Sequence, residues 1–109
     1  MKRGWDISLL CRALADPVRR AALDRLAQKP HCVRELAREF PQSRAAISQH
    51  LKVLLDAGLV SVQPQGGRRL YCADPEGLAW LQSYIANMSE RAGAGSAPPT
   101  WAARMSDAA

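Results

Sequence analysis

The chain has 109 residues, of which 48% are hydrophobic and 23% charged, the composition of one globular domain rather than of a disordered or fibrous chain. It contains no run of eighteen apolar residues, so no membrane span is expected, and the broken apolar stretch in MKRGWDISLL does not read as a secretion signal. The net charge is +5, and residues 17–73 concentrate ten basic groups against four acids, which suits a polyanion-binding face as well as a plain soluble surface.

Ile7, Leu10, Cys11 and Leu14 recur at helical spacing and predict a first helix over about 5–15. Asp16-Pro17 restarts the chain as N-cap and first helical position, Val18, Ala22, Leu23 and Leu26 give the buried side, and Lys29-Pro30 ends it. Val33, Leu36, Ala37 and Phe40 repeat the pattern over a short helix at 33–40, with Cys32 at its N-cap. After the break at Pro41-Gln42, Ser43 caps a helix at 43–57 whose inward residues are Ile47, Leu51 and Leu54, and Gly58 closes it in the left-handed conformation.

The period then changes to two. Val60 and Val62, and later Leu70 and Cys72, alternate with polar groups around Pro64-Gln65-Gly66-Gly67, which reads as a β-hairpin. Asp74-Pro75 starts a last helix to about 91, striped by Leu78, Leu81, Ile85 and Met88 with Trp80 and Tyr84 alongside. Ala92–Thr100 reads as a linker, so the expected organisation is a domain at 5–91 and a flexible tail at 92–109. The fold class is mainly α with a small β-hairpin: four helices, the hairpin and a fifth helix.

The helices at 33–40 and 43–57 have helix-turn-helix spacing. On the second, Arg44, Ser48 and Lys52 line one side, with Gln49 beside them and the small Ala45 and Ala46 permitting close approach. Arg and Lys suit guanine, Gln suits adenine, and Ser adapts, although an ordinary solvated helix face has the same residues. The hairpin adds a second basic element, Arg68-Arg69, directly behind this helix, placed to reach phosphates. The candidate DNA-binding set is Ser43, Arg44, Ala45, Ser48, Gln49, His50 and Lys52 on the helix and Arg68 and Arg69 on the hairpin.

In this combination the sequence resembles the ArsR/SmtB-type winged helix-turn-helix repressors. The resemblance rests on ALADPVRR at 13–20, RELA at 34–37, SRAAISQHLKVL at 43–54, AGLV at 57–60 and GRRLY at 67–71. It implies a bacterial, cytoplasmic homodimer that represses transcription by binding a palindromic DNA operator. The helix at 43–57 would be the reader and 60–73 the wing. The resemblance also implies a dimer contact from the first and last helices, here Ile7, Leu10, Leu14, Leu81, Tyr84, Ile85 and Met88. The chain departs from many relatives by having Pro41 in the turn where they have glycine. Metal-responsive relatives often carry Cys-Val-Cys at the start of the third helix, whereas this chain reads Cys32-Val33-Arg34. The last helix also lacks the Asp/His/Glu set of zinc-type relatives, so no metal site is expected.

Three cysteines without a CxxC spacing leave one thiol unpaired in any disulfide scheme and fit a reducing compartment. Cys32 is the thiol-sensor candidate, because a helix N-terminus favours thiolate and Arg34 and His31 lie close in sequence; against this, a cysteine at an N-cap reads as a tolerated serine substitute. His31-Cys32 as half a ligand set competes with an exposed histidine beside a buried thiol. Cys11 reads as core or dimer seam and Cys72 as core. His50 either touches a phosphate or packs. Trp80 and Tyr84 line a small-molecule pocket or serve as packing, and Trp101 either docks back or does not. No nucleophile elbow, catalytic triad or phosphate loop occurs, so neither an enzyme nor a cofactor is expected. The readings left are an operator-binding regulator, a thiol- or metal-responsive variant of it, and a winged helix used as a protein-interaction module.

Overall fold

The computed structural model describes residues 4–93. Its elements are α1 (Ile7–Leu14), α2 (Pro17–Gln28), α3 (Val33–Ala37), α4 (Arg44–Ala57), β1 (Val60–Gln65), β2 (Arg68–Ala73) and α5 (Pro75–Gly93). Short polar side chains set the helix starts by accepting from amides that have no partner within the helix. Asp6 takes Ser8 N at 2.8 Å, Asp16 takes Val18 N at 2.8 Å, Ser43 Oγ takes Ala46 N at 3.1 Å and Asp74 takes Glu76 N at 3.0 Å. The amides of Arg19 and Val18 hold the Asp16 carboxyl below its ordinary range. Gly58 ends α4 at φ 85°, as its position predicts.

α3 stops earlier than expected. Glu39 N reaches Leu36 O at 3.0 Å and Phe40 N reaches Ala37 O at 3.3 Å, so the last turn tightens to three-residue bonds before Pro41, which has no N–H to donate. No residue other than glycine has positive φ among the described residues, so the turn around Pro41 is made without the left-handed residue that glycine would allow.

Leu10, Leu36, Ile47, Leu51, Leu54 and Leu59 are fully buried and join α1, α3 and α4 in one core, with Ala22, Leu23 and Leu26 from α2. Arg19 and Arg20 finish α1 from outside it. Arg19 Nε donates to Ala13 O at 2.9 Å, and Arg20 donates to Leu14 O at 2.7 Å, cations on the negative end of a helix. Cys11, expected in the core or a dimer seam, is exposed and so is not core, because the α1 surface that meets α4 is centred on Leu10 and Ala13.

β1 and β2 pair antiparallel with Val60 opposite Ala73 and Val62 opposite Tyr71. Opposed residues share a face, so the inward face is Val60, Val62, Tyr71 and Ala73. Leu70 and Cys72 lie on the other face, opposite Gln63 and Ser61. This corrects the expectation that Cys72 is core: the two-residue turn sets the register, and Cys72 is half-buried.

α5 meets the rest of the domain through its first turns. Gly77 is its one buried residue among those described, and a Cβ there would collide with the carbonyl oxygen of Gly58. The Trp5 ring lies against Gly58 and stacks on Trp80 at 6.2 Å, and Trp80 stacks on Tyr84 at 5.7 Å.

Candidate nucleic-acid interface

α4 turns Ile47, Leu51 and Leu54 into the core and leaves Arg44, Ala45, Ser48, Gln49 and Lys52 exposed on the opposite side. The 3.6-residue period makes this division, and Ser43 fixes where it begins. Ser43 is exposed, but its hydroxyl is engaged in the cap. Lys52 Nζ lies 3.1 Å from Asp56 one turn on, a solvent-exposed pair that a phosphate can replace. His50 is half-buried and accepts from an Arg19 guanidinium nitrogen at 3.3 Å, so its ring joins α4 to α2.

The hairpin turn is Gly66-Gly67 at φ 54° and 78°. A Cβ at either would meet nothing, so the backbone conformation calls for glycine there, not crowding. Beyond the turn the two arginines take different sides. Arg69 sits with its guanidinium carbon 6.0 Å from the Tyr71 ring centre. Arg68 donates to Glu35 Oε1 at 2.9 Å and to Cys32 Sγ at 3.6 Å. Glu35 also accepts from the backbone N–H of Cys32 at 2.9 Å. That amide first, then the Cys32 thiol and Arg68, bring the Glu35 carboxyl down to about 2. The cation beside the Cys32 thiol is therefore Arg68. Arg34, which sequence proximity suggested, is an exposed residue of the same groove, and the His31 ring turns to other partners.

His31 is buried, not exposed as one sequence reading had it. Its backbone exchanges two hydrogen bonds with Tyr71, at 3.0 and 2.8 Å, and adds a one-residue bridge to the edge of β2. Its Nδ1 donates to Lys29 O at 2.9 Å and its Nε2 lies 3.2 Å from Glu39. Glu39 also accepts from Arg25 Nε at 2.7 Å, and the Arg25 guanidinium covers the Phe40 ring at 5.3 Å. These contacts join α2, the end of α3 and the wing. Sequence reasoning missed them, since an isolated bridge and a pair fourteen positions apart leave no local pattern.

A groove of about 620 Å³ lies between α3, the start of α4 and the wing. Arg34, Arg38, Arg44, Arg68 and Arg69 line it, with Ser48 at the reader side and Glu35 as its one carboxylate. It is open and cationic, the form of a polyanion site.

Among the residues expected at a dimer contact, Ile7, Leu14, Leu81 and Tyr84 are half-buried, while Ile85 is 57% and Met88 49% exposed. Leu10 does not belong with them: it is fully buried within its own protomer and has no surface to offer a partner. Tyr84 and Trp80 are engaged in the aromatic stack. Trp101 lies outside the described residues. No helix among the described residues is long and apolar enough to cross a membrane.

Comparison with known proteins agrees with this arrangement. Residues 16–62 match the family described as bacterial regulatory protein, arsR family. The chain is 52% identical over 90 residues to the HTH-type transcriptional regulator Rv2034 of Mycobacterium tuberculosis, covering 83% of this chain and 78% of that one. Its fold is similar to the crystal structure of the ArsR family transcriptional regulator RHA00566, with a TM-score of 0.74 at 30% identity over 83% of this chain and 93% of that one. It is also similar to the homodimeric winged helix-turn-helix DNA-binding domain from Mycobacterium bovis solved by NMR, with a TM-score of 0.63 at 26% identity over 85% and 87% of the two chains. With its reader-type helix, its wing and these relatives, the chain belongs to the arsR family of bacterial regulatory proteins and is a winged helix-turn-helix transcriptional regulator.

Proposed function

We propose that this regulator is a cytoplasmic repressor that binds a palindromic double-stranded DNA operator as a homodimer. One observation carries the reading: Arg44, Ser48 and Gln49 stand exposed on α4, and Arg44 and Ser48 line a groove that continues to the basic wing. α4 then enters the major groove, with Arg44, Ser48 and Gln49 reading bases. Ala45 permits close approach, Ser43 and Lys52 lie against the backbone, and His50 positions α4 through Arg19. Arg69 and Arg68 meet phosphates. A polar, cationic surface supports DNA as the partner over a protein-interaction role, which an apolar exposed face would have suited.

The homodimeric relative supports two copies per operator, joined through α1 and α5 around Ile7, Leu14, Leu81, Tyr84, Ile85 and Met88. Two reader helices then require half-sites about 10 bp apart or a multiple of that. The test is selection of bound duplexes from a random pool. A two-fold symmetric motif supports the reading, and the absence of any enriched motif refutes it. In the selected site, Arg44→Ala costs roughly 1–3 kcal/mol and relaxes one base per half-site.

The contact between Arg68 and the Cys32 thiol favours a second reading, in which Cys32 is a thiol sensor. Modification of the sulfur would displace Arg68, and with it the wing, from α3. Alkylation of Cys32 faster than Cys11 and Cys72 at neutral pH, with loss of operator affinity, supports it. Alkylation without a change in affinity makes Cys32 structural.

A further inference from the structure

Five arginines line the groove, and one of them is already occupied. Arg68 is bound by Glu35, whose carboxylate is held in place by the Cys32 amide at the start of α3. We propose that Glu35 is a specificity-determining residue: it withholds Arg68 from the phosphates of arbitrary DNA and yields it only when α4 is seated on its operator.

The geometry supports an exchange of partners. Both side chains are accessible, Arg68 at 56% and Glu35 at 44%, so water competes with the pair and it is readily replaced. A guanidinium offers the same pair of donors to a phosphate as to a carboxylate. Glu35 is tied through the same oxygen to Cys32 N, a backbone donor that stays in place when Arg68 moves outward. The carboxylate thus marks one position in the groove where a phosphate is repelled unless Arg68 intervenes. On a random duplex the loss of the pair gains a single phosphate contact against that repulsion. On the operator, base contacts from Arg44, Ser48 and Gln49 hold the backbone close to the wing and make the exchange favourable. Binding of non-specific DNA is almost wholly a matter of phosphate contacts, so withholding one arginine lowers it selectively.

This inference rests on the proposed DNA-binding reading, and the experiment separates the two. Salt titrations are run with the selected operator and with random duplex, using the dimeric full chain and its Glu35→Gln, Arg68→Ala and combined variants. Glutamine keeps an acceptor for the Cys32 amide, so the start of α3 is retained, and thermal melting checks that it is. Glu35→Gln is expected to tighten binding to random duplex and to steepen its slope of log K against log[salt] by about 0.9 for each wing released. The ratio of operator to random affinity falls. In the Arg68→Ala background the same change leaves the slope unaltered. A slope unmoved by Glu35→Gln, or steepened equally without Arg68, overturns the proposal. Arg44→Ala is measured alongside. If it leaves operator affinity unchanged, the reader assignment fails; if it weakens the operator while Glu35→Gln moves nothing, only the role of Glu35 fails.

Discussion

His31 and Tyr71 exchange both of their backbone hydrogen bonds, His31 N to Tyr71 O at 3.0 Å and Tyr71 N to His31 O at 2.8 Å. The wing is thereby paired on its outer edge to the segment that leads into α3, and its angle to α4 is not left to the hairpin turn. The His31 ring secures the bridge through Lys29 O and Glu39. His31→Ala leaves the backbone bridge possible but removes both side-chain contacts from a buried site. It is expected to lower stability by roughly 1–3 kcal/mol. Amide exchange of Tyr71 should accelerate more than that of Ile47, and equal acceleration of the two would assign the loss to the whole domain rather than to the wing.

Gly77 is needed for space, not for its backbone angle. A Cβ there would strike the carbonyl oxygen of Gly58, at the point where α5 crosses the end of α4. Neither backbone can yield as a side chain would. Gly77→Ala is expected to cost roughly 1–3 kcal/mol by overpacking, read as a lower midpoint in urea with an unchanged slope. Gly66→Ala makes the contrast, since a Cβ there meets nothing and only the positive φ is strained. A Gly77→Ala protein as stable as the parent would mean that α5 does not approach α4 this closely.

The Glu35 carboxyl, brought from its ordinary 4.5 to about 2, gives the start of α3 a defined acid dependence. A folded-state value below the unfolded one contributes stability that is complete above the unfolded value and disappears as pH falls through the folded one. The bonds from Cys32 N and Arg68 are therefore retained at pH 4 and lost as pH falls toward 2. An NMR titration of the Glu35 carboxyl carbon checks this. A midpoint near 4.5 would show that the carboxylate is not held by those donors in solution.

Leu10 and the pair Ile85 and Met88 lie on stripes that look alike in sequence but separate in the fold. Leu10 is fully buried, whereas Ile85 and Met88 are exposed. Leu10→Ala is expected to cost roughly 2–5 kcal/mol of protomer stability. Ile85→Glu with Met88→Glu is expected to leave the helical circular dichroism unchanged while shifting light scattering from dimer to monomer. A dimer that survives the double change would place the interface elsewhere than on this part of α5.

Helices α1, α2, α4 and α5 and the hairpin are legible from local chemistry, because their signals lie within a few residues. Asp16-Pro17, Ser43 and Asp74-Pro75 begin helices by the same short-range capping that the sequence displays. Gly58 ends α4 because no other residue adopts its φ as easily. The exposed row of Arg44, Ser48 and Gln49 follows from helical periodicity once the buried residues are recognised. α3 is shorter than its stripe suggests, because periodicity continues into a tight turn as easily as into a helix.

The sequence by itself determined which segments are helical, where α2, α3, α4 and α5 begin, and which side of α4 stays polar. All of these depend on contacts a few positions apart. Only the tertiary structure decided which face of the hairpin looks inward, that Arg68 is held by Glu35 and not free, that His31 pairs with Tyr71, and that Leu10 is core while Ile85 is surface. An apolar stripe specifies that a face is to be covered but not by what. The partner of an arginine thirty-three positions from its carboxylate is set by how the elements pack, which no local pattern encodes.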